Sequence, residues 1–97
     1  EGFLWECLDD RQQPAEKREV ALAGLQAIAL KYPARRPPIT EGLIARLQAA
    51  PVEEQEVNAY LVHVLDEIHA PEARAAIRAA FEAGKVDTTI IGPEDME

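Results

Sequence analysis

Apolar residues in this chain recur at three- and four-residue spacings between prolines and do not alternate as they would along strands. Ala21, Leu25, Ile28, Ala29 and Tyr32 fall on one stripe of an α-helix that Pro33 ends. Pro14 suits the first turn of that helix, where its missing N–H is not needed, and Glu16 lies near the positive end of the helix dipole. Beyond ARRPP, the residues Ile39, Leu43, Ile44 and Leu47 make a second stripe closed by Pro51. Val57, Leu61, Val64, Leu65 and Ile68 make a third. Pro71 opens a fourth segment that turns Ala73, Ile77, Ala80 and Phe81 inward and stops at Gly84, the expected left-handed C-cap. GFLWECLD, residues 2–9, reads as the last turns of one more helix, with Phe3, Leu4, Trp5 and Leu8 available to pack. The pattern predicts an all-α fold of four to five helices and no sheet.

The stripes repeat. Ala21, Leu25, Ile28, Ala29 and Tyr32 match Val57, Leu61, Val64, Leu65 and Ile68 at a constant separation of 36. Pro37, Ile39, Leu43 and Leu47 match Pro71, Ala73, Ile77 and Phe81 at a separation of 34, which implies a connection two residues longer in the first pair. The expectation is one domain over residues 1–97: two antiparallel helix hairpins, about 14–50 and 53–84, stacked as a short α-solenoid. An irregular four-helix bundle is the competing arrangement. Residues 85–97 are expected to cap the last hairpin: Val86, Ile90 and Ile91 fold back, Asp87 caps a single turn running to Gly92, and the acidic GPEDME frays.

The hairpins EVALAGLQAIALKYPARRPPITEGLIARL and VNAYLVHVLDEIHAPEARAAIRAAFEAG resemble the bacterial HEAT-like repeat proteins, a group that includes the phycobilisome lyase HEAT-like repeats. The resemblance covers about residues 14–84, and AFEAGKVDTTIIG looks like the tail that follows such repeats. It implies an α-solenoid end acting as a binding or assembly surface. It carries no catalytic residue to this chain.

Composition narrows the function classes. Ala, Leu, Glu and Arg dominate, and the 97 residues suffice for one small core. The net charge of −8 argues against nucleic acid and against anionic membrane surfaces as partners. No apolar run is long enough to span a bilayer. Cys7 is the single cysteine, which excludes an internal disulfide and fits a reducing compartment, so the cytoplasm is the expected location. The sequence opens on Glu1 rather than Met, from which we expect a fragment or a processed product with an open repeat end.

HVLDEIHAPEAR, residues 63–74, is the densest cluster of potential ligands. His63, Asp66 and Glu67 share the outer face of one helix, while His69 falls well round it at the C-terminal end, so the pattern departs from the zinc motif HExxH. A solvated polar face is the expectation, with no metal and no cofactor. Cys7 lacks a neighbouring base and is expected to be a packed thiol. Trp5 is expected to pack in the core; Tyr60 lies at the edge of its stripe, where a partner could meet it. Arg46, Arg74 and Arg78 fall on the second helices of the two hairpins, with Arg35 and Arg36 in the first connection. Together they could line a basic strip on an acidic protein and receive carboxylates or phosphates. Against this stand ordinary helix-surface ion pairs, such as Arg78 with Glu72 or Glu82.

The reading that follows is a non-enzymatic module that binds a protein partner of unspecified identity. The alternative is a lyase-like or chaperone-like binder of a small molecule or chromophore, which would draw on His63, Cys7, Trp5 or Tyr60. A homodimer through the open end, with Phe3, Leu4 and Trp5 exposed, is a third expectation.

Overall fold

The structure, a computed structural model, describes residues 1–92. Five α-helices follow one another: α1 (Gly2–Asp9), α2 (Ala15–Lys31), α3 (Arg36–Ala49), α4 (Gln55–Glu67) and α5 (Arg74–Glu82). Among the described residues there is no strand, and the fold is all-α. The acidic residues 93–97, expected to fray, lie outside the described residues.

α4 is the centre of the molecule. Its predicted stripe is buried, and so are Asn58, Ala59 and Val62, which leaves only a narrow outer face around Glu56, His63 and Glu67. α2 and α3 pack against α4 and against each other, α1 lies along α2, and α5 leans chiefly on α3. Leu22, Leu25, Ile39, Leu43, Leu47 and Leu65 are fully buried where these helices meet. Leu8 closes the core from α1, and Val86 and Ile91 close it from the segment after α5.

That segment is fastened by polar contacts as well as apolar ones. Gly84 adopts the left-handed conformation (φ 72°) that stops α5, as its position predicts. Asn58 Nδ2 donates to the carbonyls of Pro51 and Lys85, both at 3.0 Å, and Gln55 Nε2 donates to Gly84 O at 2.8 Å. Asp87 then starts a turn, accepting from Thr89 N–H at 3.0 Å and from the Thr89 hydroxyl at 2.6 Å. These bonds, the hydroxyl first, hold the Asp87 carboxyl below its usual range. Ile90 points outward, 38% exposed, so Val86 and Ile91 do the capping without it.

The connections correct the expected repeat. Residues 32–35 join α2 to α3 and residues 68–73 join α4 to α5, so the longer link is in the second pair. Pro33 and Pro71 are the structural equivalents: each opens a 3-10 turn, Pro33–Arg35 and Pro71–Ala73, that leads straight into the next helix. Pro37 sits inside the first turn of α3 instead. Aligning Pro37 with Pro71 shifts the comparison by four residues, about one helical turn, which preserves the apolar face and so hides the slip. Tyr32 belongs to no buried stripe; it ends α2 and is 52% exposed.

Candidate functional site

Positive charge is scarce here, and three of the ten cationic side chains are spent at the carbonyl ends of helices, where backbone oxygens lack intrahelical partners. Arg18, on the buried side of α2, donates through Nε to Leu8 O in the last turn of α1 at 2.8 Å. Its Nη1 lies 3.1 Å from Glu54 Oε2. Arg36 donates through Nε to Ile68 O at 3.1 Å and through Nη2 to His69 O, closing the end of α4. Lys85 Nζ donates to Gln48 O in the last turn of α3 at 3.2 Å.

Three of the arginines predicted for a basic strip are thereby explained as structural. Besides capping α4, Arg36 lies 3.8 Å from Glu72, the acid expected beside Arg78. Arg35 clasps both oxygens of Glu1, with Nε at 2.9 Å, and holds that carboxyl below its usual range. Arg46 grips Asp9 through Nε and Nη2 at 2.8 and 2.9 Å, and its guanidinium carbon stands 4.2 Å from the centroid of the Trp5 ring. The indole is half-buried against α3, directly over Gly42, whose missing Cβ leaves the room.

Arg74 and Arg78 differ. Both are exposed on α5, one turn apart, and neither side chain has a hydrogen bond or ion pair among the described residues. Arg74 stands on the rim of a shallow groove of about 220 Å³ formed by Leu65, Asp66, His69, Ala70, Pro71 and Ile77. The groove exists because α4 ends abruptly. His69 takes a left-handed conformation (φ 53°), Ala70 N–H reaches back to Leu65 O at 3.2 Å, and the chain turns away before Pro71 restarts it. Its lining is mixed: Leu65, Ala70, Pro71 and Ile77 supply apolar groups, and Arg74, His69 and Asp66 a guanidinium, an imidazole and a carboxylate.

A second cleft, about 190 Å³, lies where the α1–α2 and α3–α4 connections meet, with Arg11, Arg18, Arg46, Asp9, Glu54 and Asn58 among its lining groups. Arg11 Nε stands 3.7 Å from the same Glu54 oxygen that Arg18 uses. Here the arginines neutralise the acids of the wall, so this cleft reads as a lock between connections.

The residues of HVLDEIHAPEAR divide between two faces. His63 and Glu67 form a loose pair, 3.9 Å apart, on the outside of α4, while Asp66 and His69 belong to the groove. Among the described residues no three His, Cys, Asp or Glu side chains come together as a metal set. Cys7 is half-buried, with Sγ 3.6 Å from Lys17 O. Tyr60 is half-buried and packs on the core. Neither of the two clefts is lined by Cys7, Trp5, Tyr60 or His63. No described helix is long and apolar enough to cross a membrane.

The sequence reading passed over Arg18 and Asn58, 8% and 1% exposed. The signal was present: Arg18 is in phase with Ala21, Leu22 and Leu25, and Asn58 with Leu61 and Leu65. It also passed over Glu19. This carboxyl faces Glu56 across the α2–α4 contact, and burial, then the hydrogen bond and charge of Glu56, push it up to about 7.

No family model matches the chain, and no curated protein or solved structure matches it.

Proposed function

We propose that this chain is a non-catalytic protein-binding module, built as HEAT-like hairpins, that receives an acidic segment of a partner protein along α5. The observation that carries the reading is the inequality among its seven arginines. Five are held by carboxylates or helix-end carbonyls, whereas Arg74 and Arg78 have no such partner among the described residues, and Arg74 stands on the rim of a groove of mixed polar and apolar lining. Guanidinium pairs favour carboxylates through bidentate bonds, and the groove beside Arg74 gives a bound segment a concave surface to lie in. The side-by-side packing of α2 with α4 and of α3 with α5 supports the hairpin arrangement, because stacked repeats pair like helices.

The test is a fluorescence titration of the protein with a labelled peptide carrying several glutamates around one leucine, against a peptide with the glutamates replaced by glutamines. Binding that requires the carboxylates, weakens with salt and is lost in the double variant Arg74→Glu, Arg78→Glu is the expected result. Equal binding of both peptides, or no effect of the double variant, would sink the proposal.

A further inference from the structure

α2 is apolar on two opposite faces. Its inner face carries Ala21, Leu22, Leu25 and Ala29 into the core. Its outer face carries Val20, Ala23, Ala27 and Leu30, all exposed, with Val20 at 70% and Leu30 at 54%. An amphipathic surface helix would place charge there instead. From Glu16 the outer residues run 16, 20, 23, 27 and 30, the alternating four-three spacing that two helices need to interlock along a seam. Phe3 on α1 is a further exposed apolar side chain, at 77%, and its neighbour Leu4 packs on Gly24 of α2.

We propose that this face is the contact of a homodimer in which α2 lies antiparallel against α2 of a second copy. Charge complementarity selects the occupant. The outer face begins with Glu16 and ends with Lys31, both exposed and neither in an ion pair among the described residues. About a two-fold axis near Ala23 and Gly24, Val20 comes opposite Ala27 of the second copy, and Glu16 comes beside Lys31 of the second copy at both ends. A parallel arrangement would set Glu16 against Glu16 and Lys31 against Lys31. The alanines let the helices approach closely, and the seam is isologous, so association closes at two copies. The small face makes it a weak dimer, with a dissociation constant on the order of 10–1000 µM. This surface lies on a different helix from Arg74 and Arg78, so its test and the peptide titration report separately.

Sedimentation equilibrium over micromolar to near-millimolar chain decides the matter, with circular dichroism to verify that each variant is folded. The expected result is a monomer–dimer equilibrium that Val20→Glu abolishes. Glu16→Lys and Lys31→Glu should each weaken it about tenfold, and the double reversal Glu16→Lys, Lys31→Glu should restore it. A monomer at every concentration overturns the proposal. So does a dimer indifferent to Val20→Glu, or one in which the double reversal is no better than the singles.

Discussion

Arg18 reaches out of the buried side of α2 to do two things at once: Nε donates to Leu8 O, and Nη1 pairs with Glu54. One guanidinium therefore ties the end of α1 to the entry of α4. Removing it strands a helix-end carbonyl and leaves a partly buried carboxylate without its main counter-charge. We expect Arg18→Ala to cost about 3 kcal/mol in urea unfolding, most of it from the groups left behind. The double variant Arg18→Met, Glu54→Gln should recover at least half of that loss. If the double variant is as unstable as Arg18→Ala, the loss is one of packing and the electrostatic account is wrong.

How such a residue escapes a sequence reading is instructive. Helix existence and the inward faces were legible because apolar spacing reports burial directly: Leu25, Leu43, Leu61 and Ile77 were placed by period alone. A polar residue in the same phase is ambiguous until its partner is known, and the partners of Arg18 and Asn58 lie on other elements. Connection lengths were misjudged for a related reason, since a slip of one helical turn leaves the apolar pattern intact. The basic strip was half legible. The sequence shows where the arginines stand along each helix, but which of them a carboxylate already holds depends on Glu1, Asp9 and Glu72, which other elements supply.

His69 holds a left-handed backbone conformation that a side chain with a Cβ adopts at a cost, and its imidazole makes no hydrogen bond or ion pair among the described residues to compensate. Glycine is at ease there. His69→Gly should raise stability by about 1 kcal/mol, read as a higher urea midpoint at unchanged slope. Arg36 bonds the His69 carbonyl rather than its side chain, so that bond survives the substitution. A lower midpoint would mean that the imidazole contributes a contact worth more than the backbone strain.

Glu19 supplies a pH dependence whose sign can be worked out. Its carboxyl is raised from an ordinary 4.5 to about 7 by burial and by Glu56, so the fold favours the protonated form. Below the ordinary value both folded and unfolded chains are protonated and nothing is lost. As pH rises from there toward 7 the unfolded chain ionises first, and stability falls until the penalty is complete above 7. Glu19→Gln should therefore have little effect at acid pH and stabilise the protein above neutrality. Thermal unfolding of both proteins at several pH values checks this; parallel profiles would exclude a strained carboxyl pair.

Gly42 sits inside α3, where replacement by alanine ordinarily stabilises a helix by about 1 kcal/mol. Here the added Cβ would stand 2.8 Å from Cη2 of Trp5, a rigid ring atom that cannot fold aside as the end of a flexible chain would. The indole must tilt, and with it goes the stacking of Arg46, which grips Asp9 on the same α1. Gly42→Ala should then be destabilising by about 1–2 kcal/mol despite its better helix propensity. Trp5 is the only tryptophan, so its emission reports on this contact alone. A red shift in the folded variant, together with a lowered unfolding midpoint, is the expected pair of results. A gain in stability with unchanged emission would show that α1 is free to move off α3, and that the Trp5–Arg46 contact does not hold it in place.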